Sequence, residues 1–119
     1  MNLKVAVVGA GGTGAYYGGA LARAGAEVTM IARGPHLEAI KKNGLQLNSL
    51  LLGDFLIETA ATDDMSSIGV MNLVIFAVKS WGTESAIEAM ASGNMVGDGT
   101  MIISTQNGID SERQLSEAF

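Results

Sequence analysis

Three glycines near the amino terminus have a spacing suited to nucleotide chemistry. Gly9, Gly11 and Gly14 form the pattern Gly-x-Gly-x-x-Gly. The first glycine permits a tight turn, the second lets the backbone approach a diphosphate closely, and the third permits close packing of a helix on a strand. A helix beginning at this turn would point its free N–H groups and the positive end of its dipole at an anion. The pattern predicts a diphosphate site made largely by the backbone of Gly9, Ala10, Gly11, Gly12, Thr13 and Gly14.

The residues on either side of this turn strengthen the prediction. Glycine is common in the chain, with 16 among 119 residues, so the spacing alone is weak evidence. However, the aliphatic run Val5 to Val8 precedes the turn, small residues at helical spacing follow it, and Glu27 begins a second apolar run. This is the strand, turn and helix context that the dinucleotide fingerprint requires. The alternative interpretation is a glycine-rich turn that binds nothing.

Arg33 lies at the end of the second predicted strand, about 20 residues past the glycine turn. In dinucleotide-binding folds this position faces the adenosine ribose, where an acidic residue selects NAD and an arginine accommodates the 2′-phosphate of NADP. No acidic residue occurs in Met30 to Arg33, and a guanidinium matches phosphate oxygens well. The sequence therefore predicts NADP(H). A solvated surface arginine is the alternative. His36, near the start of the next predicted helix, could lie beside that phosphate, but a solvent-exposed histidine explains it at least as well.

Two further polar residues follow predicted buried strands. Lys79 follows the run from Asn72 to Val78, and Asn107 follows the run that begins at Thr100. Ligands of open parallel sheets bind beyond the carboxyl ends of the strands, so both residues are expected at the ligand edge. Lys79 suits a cofactor phosphate, a ribose or a substrate carboxylate, whereas Asn107 can bridge the nicotinamide ribose and the substrate. The alternative for each is a residue that only caps a turn or helix.

Composition excludes several other classes of function. The net charge is -5 and the seven basic residues are scattered, which argues against a nucleic-acid partner. The chain has no cysteine and one histidine, so disulfide, thiol and histidine-metal chemistry are not expected. No apolar run is long enough to span a membrane, and Met1 to Lys4 lead straight into the first predicted strand, so we do not expect a signal peptide. We expect a cytoplasmic protein.

The elements needed to position these residues alternate between strand and helix. Strands are predicted at 3–8, 27–32, 72–78 and 100–105, and helices at 12–24, from 35 to 43, from 83 and from 111. Leu45 to Ala61 breaks this rhythm and predicts a β-hairpin with its turn at Gly53-Asp54. Asp63 and Asp64 are expected in a solvated loop. The predicted fold class is α/β, a Rossmann-type parallel sheet with flanking helices and an inserted β-hairpin.

Taken together, these segments resemble the 2-dehydropantoate 2-reductase (ketopantoate reductase) family. The resemblance runs through KVAVVGAGGTGAYYGGALARAG, VTMIARGPHLEAIKKNGLQL, NLVIFAVKSWGTESAI and TQNGID, in the family's order. It implies NADPH bound by residues 9–14 and Arg33, with Lys79 and Asn107 lining the nicotinamide and substrate side. It further implies hydride transfer from NADPH to the keto carbon of 2-dehydropantoate, a small keto acid, giving pantoate for pantothenate synthesis.

One part of the family's pattern is missing from these 119 residues. The resemblance implies a C-terminal helical domain that supplies a catalytic lysine as general acid. The last predicted helix runs to Phe119 without a cap, so we expect an N-terminal part of a longer protein that is inactive alone. No catalytic residue is assigned within the chain, and Lys79 is not taken as the missing acid.

Two other interpretations stay open at this point. One is the cofactor domain of a different two-domain dehydrogenase, which would share the first 33 residues but not the VKS and QNG segments. The other is a free-standing NADP-sensing module. The true substrate and the oligomeric state, a homodimer included, are not fixed by the sequence.

Overall fold

The computed structural model describes residues 3–9, 12–49, 53–77 and 83–104, in which strands and helices alternate except for three consecutive strands between Leu45 and Thr62. The elements are, in chain order, β1 (Lys4–Val8), α1 (Gly12–Arg23), β2 (Glu27–Ile31), α2 (Gly34–Asn43), β3 (Leu45–Ser49), β4 (Gly53–Ile57), β5 (Ala60–Thr62), a 3-10 turn (Met65–Ser67), β6 (Leu73–Phe76), α3 (Thr83–Ser92) and β7 (Met101–Ser104). None of the helices within these ranges is long and apolar enough to cross a membrane.

Five of the strands form one parallel sheet in the order β5-β2-β1-β6-β7. β1 lies in the centre, with Val8 opposite both Ile31 of β2 and Phe76 of β6. The chain leaves β1 towards β2 on one side and later returns to β6 on the other, so the strand order reverses beside β1. This is the predicted Rossmann-type α/β fold, and the reversal marks the edge where such sheets bind ligands.

The central strands are buried on both faces, as their lack of apolar and polar alternation predicted. Val5, Ala6 and Val7 are fully buried. Val5 and Val7 face a cluster that includes residues of α1 and α2, whereas Ala6 faces the opposite cluster, which includes residues of α3. The sheet is therefore the middle layer of three, which is the reason that its strands are almost wholly apolar.

The hairpin exists, but its turn was predicted at the wrong place. β3 and β4 pair antiparallel with Ser49 opposite Gly53, so Gly53 and Asp54 belong to β4 and the connection is at 50–52, outside the described residues. Gly53 has a φ of +79°. A glycine in this left-handed region can open a strand as well as form a turn, which explains the misplacement.

The sequence analysis also missed β5, which is the third strand of the main sheet in chain order. We predicted a hairpin strand continuing to about residue 61, but β4 ends at Ile57 and Ala60 begins β5, which pairs in parallel with β2. Side chains alternate along Leu56 to Ala61 in the same way in β4, which belongs to the hairpin, and in β5, which belongs to the main sheet. Only the pairing partner distinguishes the two strands, and that partner is distant in sequence.

Candidate functional site

The glycine turn lies at the carboxyl edge of the sheet, beside the reversal of strand order. β1 ends at Val8, and Gly9 follows with a φ of +96°, a backbone conformation that favours glycine. The N–H of Ala77, just after β6, donates to the carbonyl of Val8 at 2.8 Å. The ends of β1 and β6 are thus held together directly beside the start of α1.

Gly14 has no room for a side chain. A Cβ built there would lie 2.2 Å from the carbonyl oxygen of Gly9 and 3.1 Å from the Cβ of Ala77. One turn further along α1, a Cβ on Gly18 would lie 2.8 Å from the Sδ of Met30. α1 therefore packs closely on the sheet through Gly14, as predicted, and through Gly18. The first turn of the helix contacts the backbone of Gly9, directly after β1.

The start of α1 suits an anion electrostatically. The helix has 12 residues, and its first turn, which begins at Gly12, contains no acidic residue. Helix N-termini carry unsatisfied N–H groups and a partial positive charge, so a phosphate there needs no lysine. Ala10 and Gly11 lie outside the described residues, and the side chain of Thr13 is likewise not described.

Arg33 lies at the same edge, on the neighbouring strand end. Val8, the last residue of β1, is opposite Ile31, the last residue of β2. Arg33 follows Ile31 by two residues and therefore lies just beyond the ends of both strands. Its side chain is exposed, and it occupies the N-cap position of α2 without a side-chain capping hydrogen bond. The first turn of α2 also lacks an acidic residue. Arg33 is therefore an exposed basic residue at this edge of the sheet, and its contact with a ligand phosphate stays a prediction.

Lys79 and Asn107 lie outside the described residues. The strands that precede them are described. β6 ends at Phe76, opposite Val8, and β7 ends at Ser104, opposite Phe76. Both strands therefore end at the edge that carries Gly9 and Arg33, while the placement of the two polar side chains stays a prediction.

Ala77 is a residue of this site that the sequence did not indicate. Its N–H joins the ends of β6 and β1, and its Cβ would lie only 3.1 Å from a Cβ on Gly14. The available signal was the small residue directly after the buried run Leu73 to Phe76. Small residues are common, however, so this signal would not have distinguished Ala77 from other alanines.

Comparison with known proteins identifies related chains over nearly the whole length. Residues 5–119 match the family model described as ketopantoate reductase PanE/ApbA. A 2-dehydropantoate 2-reductase of Pyrococcus horikoshii is 37% identical over 115 residues, which are 97% of this chain and 36% of that protein. The crystal structure of a PanE/ApbA family ketopantoate reductase from Ralstonia eutropha JMP134 superposes with a TM-score of 0.87 at 41% identity, covering 97% of this chain and 38% of the other.

A further solved structure bears on the cofactor. A complex of D-mandelate dehydrogenase with NADH superposes with a TM-score of 0.78 at 26% identity, covering 97% of this chain and 35% of the other. The neighbouring structures therefore include one with NADH. This chain spans little more than a third of the relatives that it matches.

Proposed function

This chain belongs to the PanE/ApbA ketopantoate reductase family, and on that premise we propose that it is the part of such an oxidoreductase that binds the nicotinamide dinucleotide. The observation that carries the proposal is the fit of α1 to the sheet. Gly14 lies so close to the carbonyl of Gly9 that no other residue type fits. That closeness brings the N–H groups of the helix start to the strand ends, where a diphosphate can accept hydrogen bonds from them.

We assign binding of the diphosphate to residues 9–14 and binding of the 2′-phosphate of NADP(H) to Arg33. An exposed arginine at the end of β2, with no acidic residue from Met30 to Arg33, supports NADP(H) over NAD(H). An acidic residue there would repel the extra phosphate and accept from a ribose hydroxyl. The guanidinium instead donates in a planar fork to phosphate oxygens.

The reaction proposed for the whole protein is reduction of 2-dehydropantoate, a keto acid, to pantoate. The bound cofactor would supply the hydride. Lys79 and Asn107 are proposed to position the nicotinamide ribose and the substrate, because their strands end at the cofactor edge. We place the general acid in a C-terminal domain like that of the family, so residues 1–119 alone should bind cofactor without turning over. A cytoplasmic location also stays a prediction.

Substitution of Arg33 tests the cofactor assignment. Hydrogen bonds to charged groups contribute about 1.5–3 kcal/mol, so Arg33→Ala should weaken NADPH binding by about tenfold to a hundredfold. NADH lacks the 2′-phosphate, and its affinity should change little. Fluorescence titration of the 119-residue chain with each cofactor measures both dissociation constants.

The exposed Lys41, in the last turn of α2, provides a matched control. Lys41→Ala removes one positive charge at the other end of the same helix, so it should leave the ratio of the two affinities unchanged. Equal weakening of NADPH and NADH by Arg33→Ala would refute the phosphate contact. Failure of the unmodified chain to bind either cofactor would refute the dinucleotide site, and turnover of 2-dehydropantoate would refute the external general acid.

A further inference from the structure

One face of the edge strand β7 exposes apolar side chains. Met101 is 64% exposed and Ile103 is 45% exposed. They alternate with Ile102, which packs against the buried cluster on the α3 side of the sheet. Met101 and Ile103 are opposite Leu73 and Ile75, which belong to the cluster on the α1 side. Met101 and Ile103 therefore lie on the same face of the sheet as α1, in a part of that face that remains exposed.

The winding of the chain accounts for this bare face. From β1 through β2 to β5 the sheet grows in one direction, and from β6 to β7 it grows in the other. Crossovers between parallel strands are right-handed, so the two directions place their helices on opposite faces. α1 and α2 cover the first half and α3 covers the other face. None of the described helices covers β7 on the α1 side.

The two edges of the sheet differ in their protection. β5, at one edge, is three residues long and is followed directly by Asp63 and Asp64. Short edge strands and charges hinder pairing with another chain. β7, at the other edge, has four residues, and no charged residue occurs from Gly99 to Gly108. The β7 edge thus lacks charges that would oppose contact with more polypeptide.

We propose that the surface formed by Met101 and Ile103 binds polypeptide equivalent to the C-terminal remainder of the longer reductase relatives. Those relatives match this chain over about a third of their own length, so they contain ample chain to cover it. A second copy of this chain is a poorer occupant. A contact through four-residue strands would fall well short of the roughly 1,200 Å² that stable interfaces bury. A covalently continuous segment has a high effective concentration and needs less area.

Cysteine labelling tests this proposal without reference to the cofactor site. The chain has no cysteine, so Ile103→Cys gives a single thiol on the surface in question. Glu38→Cys, at an exposed position on α2, gives the matched control. Maleimide reaction rates are measured in the 119-residue chain and in a chimera that joins residues 1–119 to the C-terminal remainder of the Ralstonia eutropha relative, with that remainder's own cysteines replaced by serine.

The expected result is labelling at position 103 at least about tenfold slower in the chimera, because reaction then requires local opening, with an unchanged rate at position 38. Equal rates at position 103 would overturn the proposal. Labelling of the 119-residue chain that slows with protein concentration, together with a dimer by sedimentation, would also overturn it by identifying a second copy as the occupant. If the chimera does not fold, single thiols at the positions of the intact Ralstonia eutropha relative that align with 103 and 38 replace it. Their labelling rates are then compared with those of the 119-residue chain.

Discussion

Replacing Gly14 by alanine should disrupt the contact that positions the start of α1. The new Cβ would lie 2.2 Å from the carbonyl oxygen of Gly9, and ordinary contact begins at 3.4 Å, so the helix or the turn must move by about 1.2 Å. Overpacking in cores costs typically 1–3 kcal/mol, and a clash with backbone belongs at the upper end. We expect a loss of about 3 kcal/mol in the free energy of unfolding and a fall in Tm of about 10 °C.

Two further alanine variants calibrate this experiment by urea and thermal unfolding. In Gly18→Ala the new Cβ would lie 2.8 Å from the Sδ of Met30 and 2.9 Å from a γ-methyl of Val7. Both are side-chain atoms rather than backbone, so a smaller loss of about 2 kcal/mol is expected. In Gly99→Ala nothing lies within 4 Å, so stability should stay the same or rise slightly. A loss for Gly14→Ala that is no larger than that for Gly99→Ala would refute the close packing of α1 on the sheet. NADPH affinity should fall only in Gly14→Ala if the helix start binds the diphosphate.

Other perturbations follow from the same structure. Phe76→Ala should cost about 3–5 kcal/mol by urea unfolding, because the side chain is fully buried; a loss below about 1 kcal/mol would contradict this packing. Asp64 accepts hydrogen bonds from the hydroxyl and from the N–H of Ser66, which hold the pKa of its carboxyl below the ordinary value of 3.8. The carboxylate is thus stabilised in the folded state, so Asp64→Asn should lower stability above pH of about 5. The difference in free energy of unfolding between the variant and the unmodified chain should shrink as the pH falls below 3.8, through the lowered pKa of Asp64 in the folded state. A difference that grew towards acid pH would refute the assignment.

Much of the fold was predictable because its signals are local. Buried runs such as Val5 to Val8, and helical patterns such as that from 35 to 43, predicted most of the described helices and strands to within two residues. β5 was missed, since three residues of sequence carry too little pattern to show which sheet they join. The hairpin turn was misplaced because a glycine with positive φ serves both a turn and a strand start.

The candidate site was predictable where it depends on residue type. The glycine spacing required a close approach, and the structure shows that approach at Gly14. The alignment of β1 and β2 then places Arg33 at the same edge of the sheet as Gly9. The contribution of Ala77 was not predictable, because it depends on β6 being hydrogen-bonded to β1 across nearly 70 residues of sequence.

The sequence by itself determined the first strand and helix, since only glycine suits the positive φ at position 9 and the 2.2 Å approach at position 14. It also supplied an arginine just past the end of β2. The tertiary structure decided which strand ends meet. Parallel pairing joins residues far apart in the chain, so the order β5-β2-β1-β6-β7 alone brings the glycine turn and Arg33 to one edge. The same order leaves Met101 and Ile103 exposed, because right-handed crossovers direct the helices of the two halves to opposite faces.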